Sequence, residues 1–391
     1  MTVIEVRSVT YFVLGVVTLQ QYINPSREDC IMAEAALSGF NDKLYTLDVA
    51  LDGNAMRGHF TPLVHKFLGE TLEVRRVGVE VLRRRNQRCV IRYLVDADDP
   101  QHDHHFQWRV IGKVYKARRG EHVFSVMQQL WKKGFHREAR DGIFIPEPLE
   151  FSSSLCMLFQ EEVPGAPMKT LAKQSPSPGH FQQLARVIAK LHRCPYVPDE
   201  PFLVQNHLLR CHPRYPFLAL ACPELETRIN YIVDTAKSIE DRLVREAKLT
   251  PIHGDFHLGQ VHLENGNAWL IDFDALSYGD PAADLGNVLV FLRGKVKRNP
   301  DFAVYIQAFL EEYFSLMDTE IANRLLLYEG LTHLRRACKT LRLQEEGWRR
   351  RLTRMVDEGV RCIEEMGRNF GAVFDALLEP ANDEELQEVD E

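Results

Sequence analysis

The chain changes character at Pro164–Gly165, and that break limits its possible folds more than any other feature. Before it, Leu72–Leu82, Cys89–Val95 and Gln107–Lys116 are rich in β-branched residues and joined by short polar connections. Runs of that kind mark an antiparallel meander. A helix is expected over Glu121–Lys133 and a buried strand over Leu155–Gln160. After the break, apolar spacing predicts helices over Phe181–His192, Glu224–Ala247, Phe302–Met317, Thr319–Leu343 and Glu346–Met366. One β-rich island, Ile252–Asp274, interrupts them. The expectation is an α+β protein with a small antiparallel β lobe and a larger helical lobe. Its boundaries are set at 1–68, an extension without visible chemistry; 69–163, the β-rich lobe; 164–377, the helical lobe; and 378–391, an acidic tail. Within the extension, Val9–Gln20 suits a strand or the start of a buried helix, and Arg27–Leu37 suits a helix. Asn41–Leu51 and His59–Leu68 suit short helices or strands around a turn at 52–54.

Charge separates the tail from the body. The formal net charge is −7, and the seven acids Glu379, Asp383, Glu384, Glu385, Glu388, Asp390 and Glu391 account for all of it. Residues 1–378 are therefore neutral overall, which argues against a surface made for nucleic acid. The apolar run Tyr11–Leu19 is too short to span a bilayer, so no membrane association is expected. Eight scattered cysteines without a C-x-x-C pair read as free thiols of a reducing compartment, and a cytoplasmic location is expected.

The chemistry is concentrated in residues 251–287, PIHGDFHLGQVHLENGNAWLIDFDALSYGDPAADLGN. Two short strands, Val261–Leu263 and Trp269–Ile271, flank the turn Glu264-Asn-Gly-Asn267. His253, Asp255 and Gln260 precede the first strand; Asp272 and Asp274 follow the second. A hairpin brings both groups to one end of the ribbon. Carboxylates and a carboxamide gathered there suit phosphoryl transfer from a nucleotide. One carboxylate orients an acceptor hydroxyl and takes its proton, while oxygen ligands hold Mg²⁺ against the phosphates.

The spacing H-G-D-x-x-x-x-Q, followed by I-D-F-D and G-D-P-A-x-D-L, resembles the aminoglycoside-phosphotransferase-type small-molecule kinases, which have a two-lobed protein-kinase-like fold. The resemblance is strong over about 251–290 and looser over about 72–345. It implies ATP and Mg²⁺ as cofactors and a small-molecule acceptor. It also implies that Asp255 is the catalytic aspartate, with His253 beside it, and that Asp272 binds the metal. Gln260 stands where the family usually has Asn, a departure that is similar to the H-L-G-Q of the maltokinase-like branch. Asp284 resembles a buried aspartate that braces the catalytic loop. In the β lobe, Lys113 resembles the third-strand lysine that contacts the phosphates; Lys116 competes from the opposite face. Glu121 is the default partner of that lysine. The strand L-C-M-L-F-Q-E-E-V-P-G resembles an adenine-binding linker, with the backbone of Gln160, Glu161, Glu162 and Val163 against the base. A glycine-rich phosphate loop is weak or absent, and Arg83–Arg85 are a candidate substitute.

Simpler readings stand beside these. His253, His257 and His262 lack the glutamate of a zinc-protease helix, and Q-H-D-H-H at 101–105 reads as a polar loop. Arg335, Arg336, Lys339, Arg342, Arg349, Arg350, Arg351 and Arg354 form either a solvated basic face or, in part, the border of an acceptor pocket. The expected activity is transfer of the γ-phosphoryl group of ATP to a hydroxyl of a small molecule. A neutral sugar-like alcohol is the first choice, with an aminoglycoside or an amino alcohol as the alternative acceptor. The rival from another class is a nucleotide-binding or regulatory protein with a kinase fold and no activity.

Overall fold

The computed structural model describes residues 44–368 apart from 86, 101, 103, 117–118, 199–200 and 241–246. The elements expected over 9–20 and 27–37, Cys30 and the acidic tail lie outside the described residues. The described residues divide into two compact units, those up to 120 with 152–158, and 121–151 with those from 159 on.

In the first unit the alternating runs form the expected meander, with longer strands than the sequence suggests. β1 (Glu73–Arg85) pairs antiparallel with β2 (Arg88–Asp99), and β2 with β3 (His104–Tyr115). The polar residues Asp96–Asp99 continue β2 because alternate side chains on one face still reach solvent. Two helices precede the sheet, α1 (Leu47–Leu51) and α2 (Gly53–Phe67). The turn expected at 52–54 is their junction, where the Asp52 carboxylate caps α2 by accepting from the N–H groups of Asn54 and Ala55. Gly53 is required there, since a Cβ would stand 2.3 Å from the Val77 carbonyl oxygen. Tyr93 lies in the core of this unit: its hydroxyl donates to the Ala50 carbonyl at 2.7 Å, and its ring meets Phe60 edge-on at 5.0 Å. Beside β3, the Tyr115 N–H donates to the Cys156 carbonyl at 2.9 Å.

The second unit starts with α3 (Arg119–Leu130), whose first two residues close the first unit. Three short strands follow, β4 (Ile143–Phe144), β5 (Pro148–Ser152) and β6 (Met157–Glu161). β7 (Ala166–Pro167) leads into α4 (Met168–Gln174) and α5 (Pro178–Arg193). Ser177 caps α5, whose apolar face is wholly buried at Leu184, Ile188 and Leu191. Burying each of these side chains is worth about 1.5–3 kcal/mol. Next come β8 (Pro201–Phe202), α6 (Val204–Leu209), α7 (Tyr215–Ala221), α8 (Glu226–Ser238) and β9 (Thr250–Ile252). The island is β10 (Val261–Glu264) and β11 (Asn267–Leu270), and β12 (Ser277–Gly279) closes it. Two small sheets result, ordered β4-β11-β10-β7 and β8-β12-β9. Four helices end the unit: α9 (Ala282–Val296), α10 (Phe302–Leu316), α11 (Leu325–Leu343) and α12 (Trp348–Arg368). α9 is buried on most of its circumference and passes through the core, which is why its sequence shows little amphipathic periodicity. No described helix is long and apolar enough to cross a membrane.

Candidate active site

The hairpin folds as its residues dictate. Val261 pairs with Leu270 and Glu264 with Asn267, leaving Asn265 and Gly266 as a two-residue turn with φ of 50° and 82°. Two positive φ values define the turn that matches strand twist, and Asn-Gly is the pair that adopts it most readily. The hairpin then carries the loops 253–260 and 271–276 at its open end, where the Ile271 N–H donates to the Gln260 carbonyl at 2.9 Å.

The H-G-D loop is held from below by a buried carboxylate. Asp284, in the first turn of α9, accepts from the N–H of His253 at 2.6 Å and from the N–H of Gly254 at 2.8 Å. His192 donates from Nε2 to the same carboxylate at 3.2 Å, and its Nδ1 accepts from the Tyr313 hydroxyl at 2.7 Å. Burial alone would raise the Asp284 carboxyl, but the His192 and His253 interactions outweigh it and hold the group below its ordinary value. Gly254 has φ +77°, and a Cβ there would lie 2.4 Å from the Ala275 carbonyl oxygen and 2.7 Å from Arg210 Nη1. Arg210, just past α6, clamps the two loops together. It donates to the Gly254 carbonyl at 2.8 Å, to the Ala275 carbonyl at 2.9 Å and to Ser277 Oγ at 3.1 Å. Its guanidinium also stacks 3.9 Å above the Phe202 ring.

His253 is fully buried, and its Nε2–H donates to the Ile271 carbonyl at 2.9 Å, which ties the H-G-D loop to the residue before Asp272. Asp255, two residues on, faces outward with its side chain 52% exposed. Arg335 of α11 reaches to 3.9 Å from the Asp255 carboxylate. Arg335 is itself oriented by Asn287, whose Oδ1 accepts from it at 2.6 Å and whose Nδ2 donates to the Phe256 carbonyl at 2.7 Å. One member of the basic face therefore adjoins the catalytic loop. Glu329, an acid of the same helix, is buried against Arg293 at 3.0 Å.

Asp272 sits at φ 70°, ψ 65°, a left-handed conformation that Asp tolerates better than most residues. Its carboxylate lies 3.5 Å from the terminal amide of Gln260, which in turn lies 3.3 Å from His257 Nε2. Hydrogen bonding decides which amide atom points there. The Gly259 N–H donates to His257 Nδ1 at 3.0 Å, so the ring proton must be on Nε2. The Gln260 Nε2–H donates to the Asp272 carboxylate at 3.5 Å. With the amide turned over, its oxygen and that carboxylate would form a donor set that fits a hard divalent cation such as Mg²⁺. Burial keeps His257 below its ordinary value, so the ring is neutral near pH 7.

The remaining expected residues are distributed as follows. Lys113 is buried on β3, while Lys116 lies just past the end of the strand and is exposed. Glu121 is an exposed residue of the first turn of α3. Gln160 and Glu161 are buried at the end of β6, and Glu162 and Val163 are half-buried beyond it. The Glu161 N–H donates to the Glu147 carbonyl at 3.0 Å, and its side chain is engaged by Arg137. That N–H is therefore not available to a base. Sequence reading missed Arg210, His192 and Asn287. No local pattern marks them, because each acts on a loop more than 30 residues away.

Solved structures share this fold, two of them as follows. A choline/ethanolamine kinase family protein from Mesorhizobium loti matches with a TM-score of 0.53 and 15% identity, covering 85% of this chain and 98% of that one. The amicoumacin kinase hAmiN, in complex with AMP-PNP, Ca²⁺ and Ami, matches with a TM-score of 0.50 and 15% identity, covering 72% and 88%. No curated protein matches in sequence. Residues 92–319, more than half of the chain, match the APH family, described as the phosphotransferase enzyme family. With the expected motifs brought to one end of the hairpin and the kinase fold around them, the chain belongs to the phosphotransferase enzyme family.

Proposed function

We propose that this small-molecule kinase transfers the γ-phosphoryl group of ATP to a hydroxyl of a neutral, sugar-like alcohol. Asp255 orients that hydroxyl and accepts its proton as the phosphorus–oxygen bond forms. The exposed carboxylate on a loop locked from beneath by Asp284 and from the side by Arg210 supports this role. Gln260 and Asp272 hold Mg²⁺, which when bound neutralises charge on the phosphates. The Gln260 variant is read as the maltokinase-like form of the loop. Lys113 contacts the α- and β-phosphates, and the linker 160–163 holds the base through backbone groups other than the Glu161 N–H. The amicoumacin kinase was solved with a nucleotide analogue and a divalent ion, which supports this cofactor pair. The seven described cysteines are all free, which supports a reducing cytoplasmic setting.

The choice of acceptor rests on one observation, the 3.9 Å approach of Arg335 to Asp255. Two like charges about 4 Å apart repel by roughly 4 kcal/mol at an effective dielectric constant near 20. An ammonium group beside this pair would be attracted by Asp255 and repelled by Arg335, so the pair gives a polycation no net negative field; a neutral hydroxyl needs none. A screen of ATP consumption over neutral sugars, amino alcohols and aminoglycosides tests this directly. Turnover with a neutral sugar, lost in Asp255→Asn, is the expected result. Efficient turnover only with a polycationic acceptor would refute the acceptor assignment.

A further inference from the structure

A cavity lies in the helical unit, lined by α9, α11 and α12 and the ends of their connections and by none of the residues of the H-G-D or I-D-F-D loops. Its volume is about 320 Å³, at the lower end of the range for small-molecule sites. Eight lysines and arginines line it against three glutamates, a formal excess of five positive charges. The acids are already engaged: Glu329 by Arg293 at 3.0 Å, Glu345 by Arg351 at 3.2 Å, and Glu358 by Lys297 at 2.6 Å and Arg361 at 2.8 Å. The side chains of Arg298, Arg336 and Lys339 make no hydrogen bond or ion pair with any described residue. Buried polar atoms also lack hydrogen-bond partners at this wall, namely Arg293 Nε and Nη2, His333 Nδ1 and Glu329 Oε1. Burial, then the charge of Arg336, pushes the His333 ring down to about 3, so the histidine adds no further charge.

Arg298, Arg336 and Lys339 are exposed, and cations gathered on one concave wall repel one another even where solvent screens them. A chain whose first 378 residues are neutral overall has concentrated positive charge here. The arrangement costs stability unless an anion offsets it. Guanidinium groups suit phosphate oxygens in particular, because their fork donates two parallel hydrogen bonds.

We propose that the cleft between α9, α11 and α12 is a binding site for a compact, multiply phosphorylated small molecule, with Arg298, Arg336 and Lys339 as its free cationic contacts. The site is separate from the phosphoryl-transfer centre and does not depend on the acceptor assigned above. Its occupant would brace α11, the helix that carries Arg335.

Isothermal titration of the full-length protein with inorganic pyrophosphate, in magnesium-free buffer of low ionic strength, tests the site. Saturable binding is expected in the unaltered protein and in Asp272→Ala, which leaves this cleft intact. Arg336→Glu with Lys339→Glu should weaken it by more than about tenfold, a difference of roughly 1.4 kcal/mol. Arg336→Lys should retain it within a few-fold, and unchanged circular dichroism of the double variant shows that the loss is not unfolding. The site is refuted if the unaltered protein shows no saturable binding, if the double variant binds equally well, or if Asp272→Ala abolishes binding.

Discussion

Asp284 and His253 are joined by a 2.6 Å hydrogen bond from the histidine N–H to the carboxylate, and the next N–H, that of Gly254, reaches the same carboxylate at 2.8 Å. A loop that presents a reactive aspartate has its backbone fixed by a side chain it never exposes. Replacing Asp284 with Ala leaves two amides and His192 unpaired in a buried place. The expected cost is about 3–5 kcal/mol, read by urea unfolding, since one partner of a buried charged network is removed. Asp284→Asn keeps the shape and one acceptor and should cost less.

Arg210 acts through geometry. Its fork joins the Gly254 and Ala275 carbonyls, so Arg210→Lys cannot replace it: a lysine has one nitrogen and no planar pair of donors. Both Arg210→Lys and Arg210→Ala should lower kcat more than they raise the KM for ATP. Gly254→Ala should be more severe, because its Cβ would sit 2.4 Å from the Ala275 carbonyl oxygen at a φ of +77°. Steady-state kinetics beside thermal melts separate the two effects.

His257 Nε2 lies 3.3 Å from the Gln260 amide and confines it beside Asp272. His257→Ala should therefore raise the Mg²⁺ concentration needed for tight nucleotide binding, by several-fold. Gln260→Ala should do so more strongly, and Gln260→Asn more mildly. Titrating a fluorescent nucleotide at increasing Mg²⁺ measures this without any acceptor. An unchanged Mg²⁺ dependence in Gln260→Ala would place that side chain outside the metal's coordination shell.

Two buried imidazoles control stability in mild acid. Burial, with the charges of Arg210 and Arg335, brings His207 down to about 3, and His333 falls to about 3 as well. The unfolded chain, with ordinary histidines near 6.5, takes up protons first as the pH drops. The stability these groups contribute is therefore complete above about pH 6.5 and is lost progressively below it, at up to about 1.4 kcal/mol per pH unit for each group. Melting temperature should fall between pH 7.5 and 5.5, before the carboxylates titrate. His333→Gln should flatten that slope.

What could be read from the sequence follows the range of each interaction. The meander was legible because alternation and hairpin turns act between neighbours; its strands ran longer because polar residues on the open face extend a strand at no cost. α9 was not recognised as a helix because a segment buried on most sides has no polar stripe to mark it. The small strands β4, β7 and β8 escaped notice because two residues carry no periodicity, and only a partner strand makes them strands.

By itself the sequence determined the Asn265-Gly266 turn, the order of Asp255, Gln260 and Asp272 along the hairpin, and membership of the family. The turn and that order are set by backbone conformations and spacings within some 20 residues, and the family match by residues 92–319. Tertiary structure decided which groups hold and surround those residues. Arg210 reaches Gly254 across 44 positions, Arg335 reaches Asn287 across 48, and His192 reaches Asp284 across 92. Nothing in a local pattern separates Arg335, turned toward Asp255, from Arg336, turned toward the cationic cleft. Adjacent residues on a helix point about 100° apart. The packing of α11 between its neighbours assigns each its side.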